Sequence, residues 1–166
     1  CSELGGDLFD YVSIGSGKVA LLVADVMGHG VSAAMLTGVV KSAFRASDAH
    51  GYEPLAVVDR LWNNMTAFGP EKFVTLIACV LSIEEGRLHY VNAGHPAGLL
   101  RTKGQGLVRL ASTGPLVSPA FRSCKWEEES VSVGAGDLLL LYTDGVADAL
   151  AREDDSGEES LLTAIQ

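Results

Sequence analysis

Two helix-patterned stretches, 31–46 and 53–67, follow one another directly in this chain, with a strand hairpin before them and a long run of strand-like segments after them. That order departs from the βαβ rhythm of parallel sheets, in which a crossover helix separates successive strands. The segments before the helices are 8–14 and 18–25, joined by the turn Gly15–Gly17. Those after them are 72–83, 86–93, 97–102 and 106–110, punctuated at Glu84–Gly86 and Lys103–Gly106. A loop rich in Pro and Ser, 111–122, precedes two further strands near 124–133 and 137–143. The expected architecture is therefore α+β, with antiparallel sheets and helices packed outside them. In the first helix Val31, Met35, Val39 and Ala43 recur four apart and are expected to share the inward face. In the second, Leu55, Val58, Trp62 and Met65 do so, with Pro54 suited to the first turn. Residues 146–166 read as helical, interrupted by an acidic break from Glu153 to Gly157.

A chain of 166 residues that is 48% hydrophobic is sized for one domain, 1–166, with a substantial core. Its formal charge of −9 argues against a nucleic-acid or anionic-membrane surface, which needs clustered Lys and Arg. Cys1, Cys79 and Cys124 form no paired framework, and Cys79 within FVTLIACVL reads as a buried small hydrophobe. That usage suits a reducing, cytoplasmic setting. The apolar runs fall well short of the roughly 18 residues that suggest a membrane span. No signal-peptide pattern is present, but the chain opens on Cys1 rather than Met, so upstream sequence is expected to have been removed.

Three aspartates beside glycines and apolar runs carry the chemical argument: Asp7 in GGDLFDY, Asp25 in LLVADVMGHG and Asp144 in LLLLYTDG. Such strands can deliver oxygen ligands from distant parts of the sequence to one end of a sheet. Carboxylates without Cys or His partners suit a hard cation, Mg²⁺ or Mn²⁺, and point to a metal-dependent hydrolase. Each residue also has a plainer reading. Asp7 fits a turn or Asx cap, and Asp25 fits the region that opens a helix, where a carboxylate meets unsatisfied N–H groups. Leu138–Leu141 reads as a central, doubly buried strand, so an acid at its end must be exposed, paired or metal-bound. Asp10 reads as a strand-surface acid and Asp148 as lying outside the final helix.

Among the histidines, His29 is a candidate to touch substrate phosphate, and His95 in NAGHPAG reads as a turn-fixing hydrogen bonder. His50 and His89 read as surface residues, and no pair has the helical spacing of a zinc site. Ser2 and Ser112 have no convincing base partner for a hydrolase triad. The GSG at 15–17 turns a hairpin and does not open a helix, as a phosphate loop must. No arginine stands out as a phosphate binder.

The ordered set GGDLFDY, VADVMGHGVSAAMLT, FVTLIACVL, YVNAGHPAGLLR, ASTGPLVSP and LLLYTDGVADA resembles the sporulation stage II protein E / RsbU-type branch of the metal-dependent protein phosphatases (the PPM or type 2C superfamily). The resemblance runs from Gly5 to about Ala149. It implies a four-layer α-β-β-α sandwich with two Mn²⁺ or Mg²⁺ ions at one end of paired antiparallel sheets. Carried over by motif, Asp25 resembles the carboxylate bridging both metals, Val26 a backbone-carbonyl ligand, Asp7 a first-metal ligand and Asp144 a second-metal ligand. The implied reaction is hydrolysis of phosphoserine or phosphothreonine by a water activated between the two metals. The implied substrate is a phosphorylated anti-anti-sigma factor of the STAS type, in bacterial signal transduction under an upstream sensor domain, with homodimerisation left open.

The resemblance also sets expectations that the chain does not meet. A strand before the GGD motif and an aspartate on a C-terminal strand belong to the pattern, and neither has a counterpart before Gln166. The expectation is a domain truncated at both ends, with weaker binding of the second metal and reduced activity. Asp154 and Asp155 lie in a polar, strand-poor stretch and are not substitutes. A catalytically silent interaction domain of the same fold is the alternative, and three retained aspartates argue against it. A nuclease fits poorly with the charge. The helix pair 31–46 and 53–67 adjoins Asp25 and is placed to shift a metal ligand when a regulatory domain moves it.

Overall fold

The computed structural model describes residues 5–104, 106–151 and 157–165. Cys1, Ser2 and most of the acidic break, including Asp154 and Asp155, lie outside the described residues. The chain opens with β1 (Asp7–Gly15) and β2 (Lys18–Val26), followed by α1 (Val31–Arg45) and α2 (Pro54–Met65). Strands β3 (Val74–Ser82), β4 (Arg87–Ala93), β5 (Gly98–Thr102), β6 (Gly106–Leu110), β7 (Glu129–Ser132) and β8 (Leu138–Leu140) come next, then α3 (Asp144–Leu150) and α4 (Gly157–Ile165). The strands form a five-stranded sheet in the order β1-β2-β3-β4-β7 and a three-stranded sheet in the order β6-β5-β8, with neighbouring strands antiparallel throughout.

Side-chain alternation builds the layers. Along β2, Ala20, Leu22, Ala24 and Val26 are buried against α1 and α2, where Leu36, Val40, Phe44, Val58 and Leu61 meet them. The intervening Leu21 and Val23 face the second sheet and pack with Ile77, Cys79 and Tyr90. Beyond that sheet, Leu99 and Tyr142 pack against Leu161 and Ile165 of α4, and Arg109 of β6 forms an ion pair with Glu158. The stack is helices, sheet, sheet, helices, as the sequence led one to expect. Burial pushes the Cys79 thiol pKa well above its ordinary value, in keeping with a packing role. No helix among the described residues is long and apolar enough to cross a membrane.

Several local expectations are corrected. Val31 and Met35 are 60% and 68% exposed, and the buried stripe of α1 is Ala33, Leu36, Val40, Ala43 and Phe44. Strict four-residue spacing rotates about 40° per step around a helix of 3.6 residues per turn, so a stripe drawn that way drifts off its face. In α2 the buried residues are Pro54, Val57, Val58, Leu61 and Met65, while Leu55 and Trp62 are only partly covered. β8 is no central strand: among the described residues it pairs only with β5, and Leu138 is 45% exposed. The strand expected near 124–133 shortens to Glu129–Ser132, because it pairs with β4 over that stretch alone. Asp10 is buried, not a surface acid, because it faces the helix layer, where Arg45 of α1 pairs with it.

Candidate metal centre

β1 begins where β2 ends, so antiparallel pairing places Asp7 directly opposite Asp25. Leu8 and Val12 pack toward the helices, which turns Asp7 to the other face of β1, the face shared by Leu21, Val23 and Asp25 on β2. The close approach of the two strand ends depends on Gly6. A Cβ there would overlap the Val26 carbonyl oxygen and lie 3.0 Å from Asp25 Oδ1. The Val26 N–H instead donates to the Gly6 carbonyl at 3.1 Å. The Val26 carbonyl and the Asp25 carboxylate thus crowd the same side of Gly6, while the Val26 side chain is buried toward the helices.

Asp144 arrives from the second sheet. The chain leaves β8 through Tyr142 and Thr143, and Asp144 is the first residue of α3 rather than the last of a strand. The Thr143 hydroxyl donates to Asp7 Oδ2 at 3.1 Å, which ties this segment to β1. One carboxylate oxygen from each of Asp7, Asp25 and Asp144 lies within 4.8 Å of the others. Asp7 and Asp144 are exposed and Asp25 is half-buried, so the cluster opens to solvent at the end of the sandwich.

The three carboxylates repel one another. Partial burial, then repulsion from Asp7 and Asp144, and a hydrogen bond to Asp7 push the Asp25 carboxyl up to about 6. Among the described residues, no Lys or Arg forms an ion pair with any of the three. Oxygen donors of concentrated negative charge, with no nitrogen or sulfur ligand among them, fit a hard divalent cation.

The other singled-out residues fall outside this cluster. His29 is exposed in the turn before α1, between Gly28 and Gly30. His95 is buried, with its ring between Thr75 Oγ1 at 2.9 Å and the Tyr142 carbonyl at 3.0 Å. His50 is exposed, whereas His89 is partly covered and pairs with Glu128 at 3.2 Å. Asp148 is exposed on α3. Sequence reasoning passed over Thr143 and Thr75. Adjacency to Asp144 was the one available signal for Thr143, and Thr75 comes opposite Asp25 only through the register of β2 with β3.

The family model for Stage II sporulation protein E (SpoIIE) matches residues 15–166. The chain is 32% identical over 155 residues to phosphoserine phosphatase RsbP of Bacillus subtilis (strain 168), covering 90% of this chain and 38% of that protein. The solved RsbU and RsbW domains of Rv1364c from Mycobacterium tuberculosis superpose with a TM-score of 0.79 at 28% identity, covering 98% of this chain and 45% of that one. The PP2C phosphatase domain of SpoIIE from Bacillus subtilis shares the fold with a TM-score of 0.80 at 16% identity, covering 96% of this chain and 46% of that one. Two further proteins of the same fold were solved with metal, RsbX with magnesium and PstP with 2 manganese ions. The chain spans well under half the length of RsbP, so its kinship is to one part of that protein.

Proposed function

The chain belongs to the stage II sporulation protein E family, in the RsbU branch of the PPM (type 2C) phosphatases, and from that premise we propose that it is a Mn²⁺- or Mg²⁺-dependent phosphatase of phosphoserine or phosphothreonine in proteins. The observation that carries this reading is the convergence of Asp7, Asp25 and Asp144, from both sheets, on one solvent-open point where no Lys or Arg among the described residues forms an ion pair with them. Asp25, flanked by the other two, is the residue suited to bridge two ions. Asp7 and Asp144 would each hold one ion, and the Val26 carbonyl would add a neutral oxygen. When bound, such ions lower the pKa of water and offset the charge of the phosphoryl group.

The rest falls to the chain's own side chains. Thr143 donates to Asp7 Oδ2 and so orients that carboxylate. The metal-free cluster carries like charges, and a phosphate dianion is repelled until a cation is present. For this chain we infer as substrate a phosphorylated STAS-type anti-anti-sigma factor, in a cytoplasmic partner-switching circuit. His29, exposed in the turn between β2, which carries Asp25, and α1, is the candidate contact to the phosphate.

The test is hydrolysis of p-nitrophenyl phosphate and of a phosphoserine protein, with and without Mn²⁺, by the parent chain and by Asp25→Asn. Turnover that needs Mn²⁺ and is lost in the variant supports the reading. Folded protein that binds Mn²⁺ but turns over neither substrate would favour a silent interaction domain instead.

A further inference from the structure

His95 sits at the seam between the two sheets, 5% exposed, and it is absent from the carboxylate cluster itself. Gly94, at φ +68°, turns the chain after β4 in a conformation that favours glycine. The His95 N–H then donates to Asn92 Oδ1 at 2.8 Å, and Asn92, fully buried, donates through Nδ2 to the Leu110 carbonyl at 3.1 Å. The ring is thereby held from its backbone side. Its two nitrogens reach in opposite directions, Nδ1 to Thr75 Oγ1 at 2.9 Å and Nε2 to the Tyr142 carbonyl at 3.0 Å. A carbonyl can only accept, so Nε2 carries a proton. Burial lowers the ring's pKa, more than the Tyr142 carbonyl, Asp144 and Asp7 raise it, which leaves a neutral ring with Nδ1 as acceptor for the Thr75 hydroxyl.

Both ends of this span touch the cluster's supports. Thr75 is the cross-strand partner of Asp25, and Tyr142 lies two residues before Asp144 and one before Thr143, whose hydroxyl holds Asp7. We propose that His95 is a positioning residue: its imidazole is the strut that fixes the distance between the β2–β3 arm bearing Asp25 and the Tyr142–Asp144 arm, and so sets the carboxylate spacing for the cation. Apart from the strut, the Thr143–Asp7 hydrogen bond and the apolar packing of Leu139 and Leu141 tie this arm to the first sheet among the described residues, and packing of that kind does not fix where a carboxylate points. Residues that orient metal ligands indirectly typically cost 10–100-fold in affinity when lost. The inference rests on the metal reading above.

The experiment is Mn²⁺ titration by calorimetry on the full chain, with folding checked by circular dichroism, for the parent, His95→Ala, His95→Gln and Thr75→Val. The expected result is an affinity about 10–100-fold weaker for folded His95→Ala. Thr75→Val loses less, and His95→Gln, whose amide offers one donor and one acceptor at similar reach, recovers most of the binding. Folded His95→Ala with parental affinity overturns the proposal, as does folded His95→Gln that binds no better than the alanine variant. If His95→Ala does not fold, Thr75→Val decides, and parental affinity there overturns it. A parent chain that binds no Mn²⁺ overturns the metal reading and this one together, whereas parental binding with indifferent variants overturns this one alone.

Discussion

β1 carries two aspartates three residues apart, and the structure treats them in opposite ways. Asp10 points to the helix layer, where it is 7% exposed. There Arg45 of α1 grips both its oxygens, with Nε donating to Oδ2 at 2.8 Å and a terminal nitrogen donating to Oδ1. The Tyr11 N–H donates to Oδ1 at 2.9 Å, and Lys41 lies 3.8 Å from Oδ2. The Arg45 hydrogen bond outweighs burial and holds the Asp10 carboxyl below its ordinary range. Asp7, on the other face, meets Asp25, Asp144 and one hydroxyl. The same residue type is structural where the fold supplies a cation and a candidate ligand where the fold withholds one.

The largest effect should follow Asp25→Asn. If bound metal contributes several kcal/mol to the transition state, at 1.4 kcal/mol per decade, activity falls by about 10³-fold or more. Scanning calorimetry of the metal-free protein should show the same variant slightly more stable than the parent, because it relieves repulsion. Asp10→Asn should do the reverse, and Arg45→Ala should lower the thermal midpoint further by stranding a buried carboxylate. Equal signs for Asp25→Asn and Asp10→Asn would break the contrast between the two faces.

Gly6→Ala comes next. Its Cβ would displace the Val26 carbonyl, at an overpacking cost of about 1–3 kcal/mol, readable in a urea midpoint together with weaker Mn²⁺ binding. Gly28→Ala, where a Cβ meets nothing within 4 Å, should strain the backbone at φ +91° without touching that carbonyl.

The smallest effect is in the pH dependence of the metal-free chain. Asp25 titrates at about 6 when folded against an ordinary 3.8, so its contribution is fully present below pH 3.8 and is lost as pH rises through about 6. Asp10 is shifted down, so its contribution is present above pH 3.8 and is lost as pH falls through its folded value. Urea midpoints across this range should decline toward neutrality in Asp10→Asn and lose that decline in Asp25→Asn. Saturating Mn²⁺ should abolish the decline, since the cation favours the ionised cluster.

Much of the layout was legible in the sequence because it is local. Apolar runs marked β2 and β3, Pro54 opened α2, and Gly15–Gly17 turned the first hairpin. Asp7, Asp25 and Asp144 stood out by their apolar flanks and neighbouring glycines. The buried face of α1 was misread because apolar type alone did not separate Met35, exposed, from Leu36, buried one residue later. Asp10 was misread because nothing near it in sequence announces Arg45.

What the sequence determined alone was the order of strands and helices, the layered class that follows from it, and the identity of three carboxylates with no soft donor beside them. Tertiary structure decided which charges are answered. Arg45 lies 35 residues from Asp10, Tyr142 lies 47 from His95, and Thr143 lies 136 from Asp7. Such pairings depend on strand register and on how the two sheets stack, quantities set by the packing of the whole core rather than by any local run of residues.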